Sequence, residues 1–152
     1  MSKIYVAASF SYQDEEKTNQ RKKEILEVVE RIKRTSKQNF DWFLPQQLVI
    51  NHAWDLSLEE WSYAVYQKDI DGLNDADIVL FISYGKENNS GSVWECGYAF
   101  AKNIPVIVIK MTNDVESIMV FGSAKAILMY DEIDSYDWET LPRYKTKLHK
   151  LS

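Results

Sequence analysis

Cysteine is almost absent. Cys96 stands alone among 152 residues, so no intramolecular disulfide can form and a reducing compartment is expected. Long apolar runs are missing too: none approaches the roughly 18 residues that cross a bilayer. Met1-Ser2-Lys3-Ile4-Tyr5-Val6 leads straight into a strand-like stretch with no secretory pattern. Together these predict a cytoplasmic protein with no membrane partner. Basic excess is lacking, with 18 Lys and Arg against 23 Asp and Glu, and the net charge of -5 argues against a nucleic-acid partner. A nucleotide-sized ligand stays compatible with it. Ala7-Ala8-Ser9-Phe10 stands where a glycine-rich phosphate loop would follow the first strand, so dinucleotide and P-loop chemistry are excluded. Histidine is scarce. His52 reads as a loop residue and His149 as part of a frayed helix end, far from each other and from Cys96. A zinc site or histidine-based triad is therefore not expected, nor any cofactor.

What is present is an ordinary globular balance of 45% hydrophobic and 27% charged residues, enough for one domain over 1–152. The aromatic share of 13% reads on composition alone as core packing and surface amphipathicity, with a pocket for a flat ring as the sharper alternative. Apolar runs at Ile4–Ala8, Phe40–Leu44, Ile78–Ser83, Val106–Ile109 and Ala126–Tyr130 read as strands. Helices are predicted over Asp14–Arg34, Ser57 to about Asn74, Gly91–Lys102, Val115–Phe121 and Trp138–Leu148. Ser57 and Glu60 form a capping-box pattern. Strands alternating with helices imply a flavodoxin-like, doubly wound, five-stranded parallel α/β sheet, with the ligand beyond the carboxyl ends of the strands.

Carboxylates and hydroxyls remain to carry chemistry. Cys96 reads as a small buried hydrophobe, since no histidine can activate it. In Asn89-Ser90-Gly91-Ser92-Val93-Trp94-Glu95, the chain turns on Gly91 and places Glu95 early in a helix, where the dipole favours an ionised carboxylate. Position alone suits a solvated glutamate equally well. The small neighbours Gly91, Ser92 and Gly97 favour a ligand lying against it, and such a carboxylate suits attack at a sugar anomeric carbon. Trp61, Val65, Asp69 and Leu73 share one helix face, so Asp69 points inward among apolar residues and needs a partner or a task. Asp71, Asp75 and Asp77 read as solvated or capping. Tyr5 is either a core tyrosine or a hydrogen-bonding neighbour of Glu95.

Lys3-Ile4-Tyr5-Val6-Ala7, Lys68-Asp69-Ile70, Ala76-Asp77-Ile78, Gly91 with Trp94-Glu95-Cys96-Gly97-Tyr98-Ala99, Pro105-Val106 and the Met119 segment together resemble the nucleoside 2-deoxyribosyltransferase family. Tyr136-Asp137-Trp138-Glu139-Thr140-Leu141-Pro142 also looks like some bacterial members. The resemblance implies that Glu95 forms a covalent deoxyribosyl-enzyme, that Asp69 assists the base and that Tyr5 positions Glu95. It implies deoxynucleoside and free nucleobase as partners. It further implies a homo-oligomer, dimer or hexamer, in which the Met119 segment completes a neighbour's pocket. Three departures bear on substrate. Asn89 stands where the family usually has Asp, Ser117 where it has Asn, and Ser152 where it ends on an aromatic residue. With Ser90, Gly91 and Ser92 nearby, the first two leave a neutral, hydroxyl-bearing 5′ end, like that of related nucleoside 5′-monophosphate N-glycosidases. Gln46 and Gln47 read as solvated loop residues or as readers of a base edge. A transferase, a 5′-monophosphate hydrolase and a non-catalytic nucleotide-binding module are the three readings to separate.

Overall fold

A computed structural model describes residues 1–85, 89–115 and 117–140. Five strands form one sheet: β1 (Lys3–Ala7), β2 (Asp41–Phe43), β3 (Ile78–Ser83), β4 (Val106–Lys110) and β5 (Ala126–Met129). They pair entirely in parallel in the order β2-β1-β3-β4-β5, the flavodoxin-like order expected. The helices are α1 (Glu15–Thr35), α2 (Leu58–Asp75), α3 (Ser90–Ala101) and α4 (Ile118–Ser123).

Strand alternation builds two cores. Ile4, Val6, Leu80 and Ile107 face α1, meeting Ile25, Val28, Val29 and Ile32 on its buried stripe. Tyr5, Ala7, Phe81 and Val108 face the other way, toward Leu73 of α2, Ala99 of α3 and Val120 of α4. The direction of wrapping therefore reverses between β1 and β3, where ligands of such sheets bind. Local signals fix the helix ends. Asp14 accepts from the amides of Glu16 and Lys17 at the start of α1. Ser57 and Glu60 make the predicted capping box on α2. Asn103, in the left-handed region at φ 59°, turns the chain after α3.

Four expectations need correction. The edge strand β2 is three residues long, leaving Phe40 outside it and Leu44 ahead of Pro45. The short helix starts at Ile118 rather than Val115, because the Ser117 hydroxyl accepts from the Val120 amide and caps it there. A 3-10 turn over Tyr130–Ser135 follows β5. Trp138 does not open a helix: it lies in a turn, is 1% exposed, and its indole N–H donates to the Ile133 carbonyl at 2.8 Å. From Leu141 on, the predicted closing helix lies outside the described residues, as do His149, Ser152 and Lys86. No described helix is long and apolar enough to cross a membrane.

Candidate active site

Beyond the carboxyl ends of β1 and β3 lies a cavity of about 640 Å³. Its floor is the loop after β1 (Ala8, Ser9, Phe10) and the first turns of α3 (Ser90, Gly91, Ser92, Glu95). Trp61, Val65 and Asp69 of α2 form one wall. The segment between β2 and α2 supplies Gln46 at one corner and an apolar rim of Leu48, Val49 and Trp54.

Glu95 and Tyr5 meet. The Tyr5 hydroxyl, from a fully buried residue in the middle of β1, donates to Glu95 Oε2. The Tyr5 ring is held by stacking on Phe43 of β2, centroids 5.0 Å apart and planes 13° off parallel. Phe43 in turn lies against Gly72 of α2. A Cβ added at Gly72 would stand 2.7 Å from the ring, closer than real carbon contacts allow. Gly72 is needed for this close approach rather than for a special backbone angle.

Burial dominates the electrostatics. Glu95 is the sixth residue of α3, deeper than the dipole reaches, and burial pushes its carboxyl up from 4.5 to about 8. This runs against the expectation that the helix end keeps it ionised, because burial favours the protonated form. Asp69 points inward as expected, and burial raises it to about 6. Its Oδ1 is buried with no hydrogen-bond partner. Two acidic groups thus face one cavity with separated titrations, a pattern typical of acid–base sites.

The remaining predicted residues divide. Ser90, Gly91, Ser92 and Gln46 line the cavity. Asn89 takes the N-cap position of α3 and is not among the lining residues. Ser117 caps α4, and Met119 is 76% exposed on the outer surface, so neither reaches this chain's own cavity. Gly97 is exposed and is not among the residues lining the cavity, unlike Gly91. Sequence reasoning missed Ser9, whose hydroxyl lies 3.3 Å from that of buried Ser92, and the cavity residue Lys22. A signal for Lys22 existed: three positions before Ile25 and seven before Val29, it borders the buried stripe of α1. Among the described residues no group of three His, Cys, Asp or Glu side chains could hold a metal ion.

A model of the nucleoside 2-deoxyribosyltransferase family matches residues 4–131. A nucleoside deoxyribosyltransferase of Lactobacillus johnsonii is 27% identical over 99 residues, which is 63% of this chain and 66% of that protein, just under two thirds of its length. A solved 2-deoxyribosyltransferase from the psychrotolerant bacterium Bacillus psychrosaccharolyticus superposes with a TM-score of 0.73 at 22% identity, covering 93% of this chain and 96% of that one. A conserved protein from Enterococcus faecalis V583 gives a TM-score of 0.69 at 20% identity, with 89% and 98% covered. These last two are likenesses of fold.

Proposed function

Because the chain belongs to the nucleoside 2-deoxyribosyltransferase family, we propose that it cleaves the N-glycosidic bond of 2′-deoxynucleosides through a covalent deoxyribosyl-Glu95 intermediate and passes the sugar to another nucleobase. The observation that carries this reading is the Tyr5 hydroxyl donating to Glu95 in a cavity that also holds Asp69. A hydrogen bond to a buried carboxylate favours its ionised form and fixes which oxygen is free. Tyr5 engages Oε2, leaving Oε1 to attack.

In the first step a Glu95 oxygen bonds to C1′, the C1′–N bond breaks, and its electron pair leaves with the base. Asp69, when protonated, gives that proton to the departing base. In the second step an incoming base attacks C1′ from the vacated face, releases Glu95 and returns a proton to Asp69. Two displacements retain configuration. The cavity starts in the opposite protonation state, because the proton prefers Glu95 at about 8 over Asp69 at about 6. Substrate favours the exchange on both sides. Positive charge developing at C1′ stabilises ionised Glu95, and negative charge on the base stabilises protonated Asp69. Catalysis then draws on charge that exists only as the bond breaks.

The same reading includes a homo-oligomer. The layer formed by α2, α3 and α4 exposes Trp94, Phe100, Ile118 and Met119 at 52–79%, and α3 and α4 together carry one charged side chain, Glu95. Helix α1, covering the other face, exposes no large hydrophobic residue. The apolar, nearly uncharged surface of α3 and α4 suits burial against another copy.

Incubation with one deoxynucleoside and a second free base tests the reaction. A new nucleoside means transfer, and free base with deoxyribose means hydrolysis. Mass spectrometry should find one deoxyribosyl unit on the peptide containing Glu95. Neither exchange nor adduct would end the proposal.

A further inference from the structure

Lys22 is a lysine where nucleoside chemistry has no evident need for one. It is half-buried on α1, lines the cavity, and holds its Nζ 5.4 Å from the ring centroid of Phe10, another lining residue. Among the described residues no carboxylate pairs with it. The two cavity carboxyls do not feel it either, since burial is the cause of both their shifts. A lysine at the cavity wall with no carboxylate to neutralise it leaves a ligand seated in the cavity to supply the negative charge.

Gln46 locates that charge. Its Nε2 donates to the Lys22 main-chain carbonyl at 3.2 Å, so Gln46 packs on the turn of α1 that carries Lys22, and both residues line the cavity. Turning the amide over would set two carbonyl oxygens face to face, which fixes its orientation. Gln46 Oε1 is then an obligate acceptor, buried and without a partner. The corner offers a cationic donor and a carbonyl acceptor that do not satisfy one another. Its complement is a carbonyl beside an N–H, the –CO–NH– edge of thymine, uracil, hypoxanthine or guanine.

We propose that Lys22 is a catalytic residue for base departure: its ammonium binds the carbonyl of the nucleobase and stabilises the negative charge that gathers there as the C1′–N bond breaks. The inference rests on the glycosidic cleavage proposed above. The electron pair of the breaking bond enters the ring and spreads onto the carbonyl oxygens, while Glu95 forms the new bond to C1′. No further reactant is required. The interaction strengthens as charge develops, so it acts on the rate more than on binding.

Single-turnover base release from thymidine, 2′-deoxyuridine and 5-fluoro-2′-deoxyuridine, whose bases rise in acidity in that order, tests the assignment in wild type, Lys22→Met and Lys22→Arg. Lys22→Met keeps the stem and the backbone carbonyl that holds Gln46. It should slow thymidine by about 10- to 100-fold, the scale of losing one preorganised donor. The loss should shrink steadily as the base becomes more acidic, and Lys22→Arg should recover most of the rate. Thermal melting of each variant shows whether the fold is retained. Equal loss with all three bases, or a change in KM alone, would overturn the assignment. So would a loss confined to 5′-monophosphate substrates, which would give the cation to a phosphate. A wild type that releases no base removes the parent reading and this one together. An active wild type with an unaffected Lys22→Met removes this one alone.

Discussion

Replacing Glu95 by glutamine should abolish turnover and, at neutral pH, make the protein more stable. The folded chain holds the Glu95 proton up to about pH 8, whereas the unfolded chain releases it near 4.5. Between these values the native state binds more protons than the unfolded state, so stability falls as pH rises, and it levels off above pH 8. At 1.36 kcal/mol per pH unit the loss amounts to about 3 kcal/mol at pH 7 and about 5 kcal/mol above pH 8. Glutamine does not titrate and escapes this loss. Its amide brings an offset of its own, about 1–3 kcal/mol if the N–H groups find no acceptor, but that offset is independent of pH. The diagnostic quantity is therefore the difference between the two stability curves. Thermal unfolding followed by circular dichroism at pH 5, 6, 7 and 8 should show the curves diverging as pH rises. At about 2–4 °C per kcal/mol for a chain this size, the roughly 2.5 kcal/mol lost between pH 5 and pH 7 gives the variant roughly 5–10 °C on wild type over that range. Parallel curves would show that Glu95 is solvated and ionised, and the argument for a proton that must move before attack would go with it.

Turnover needs Glu95 ionised and Asp69 protonated, so with values of about 8 and 6 the profile of kcat/KM should rise to about pH 6, stay level to about pH 8 and then fall. Asp69→Asn should be slower throughout and lose the alkaline fall, rising through pH 8 to a plateau. An unchanged alkaline limb would remove Asp69 from proton transfer. Sedimentation at micromolar concentration should show at least a dimer, and a double Ile118→Asp, Met119→Asp variant should shift it toward monomer. A monomeric wild type would contradict the reading of the apolar layer.

Periodicity carries information about what is buried, and the parts of the fold that depend on it were legible. The α1 stripe and the continuous apolar β3 follow from spacing alone. So does Asp69 on a face with Trp61 and Val65, because a carboxylate in an apolar row stands out. The Ser57–Glu60 cap was legible because both partners lie within one turn. Meetings between distant elements were not. Ser9 finds Ser92 across 83 positions, and Gln46 finds the Lys22 carbonyl across 24, with no local pattern announcing either. The protonation of Glu95 was misjudged for a related reason. A helix position fixes the dipole, but the depth of burial depends on β1 and α2 closing over the side chain. Trp138 reads in the sequence as opening the closing helix, yet its indole reaches the core from a turn.

The ring of Phe43 gives Gly72 an importance that its lack of functional groups conceals. Any side chain at position 72 must displace that ring, and the ring is what holds Tyr5 flat beneath Glu95. A residue of α2 outside the cavity lining is thus mechanically coupled to the orientation of the Glu95 carboxyl, through two aromatic planes in series. For anyone reshaping this catalyst, the permissive surface does not begin where the cavity ends. Libraries that diversify only lining positions leave this coupling intact, whereas those that treat α2 as inert scaffold would shift Glu95 without touching it.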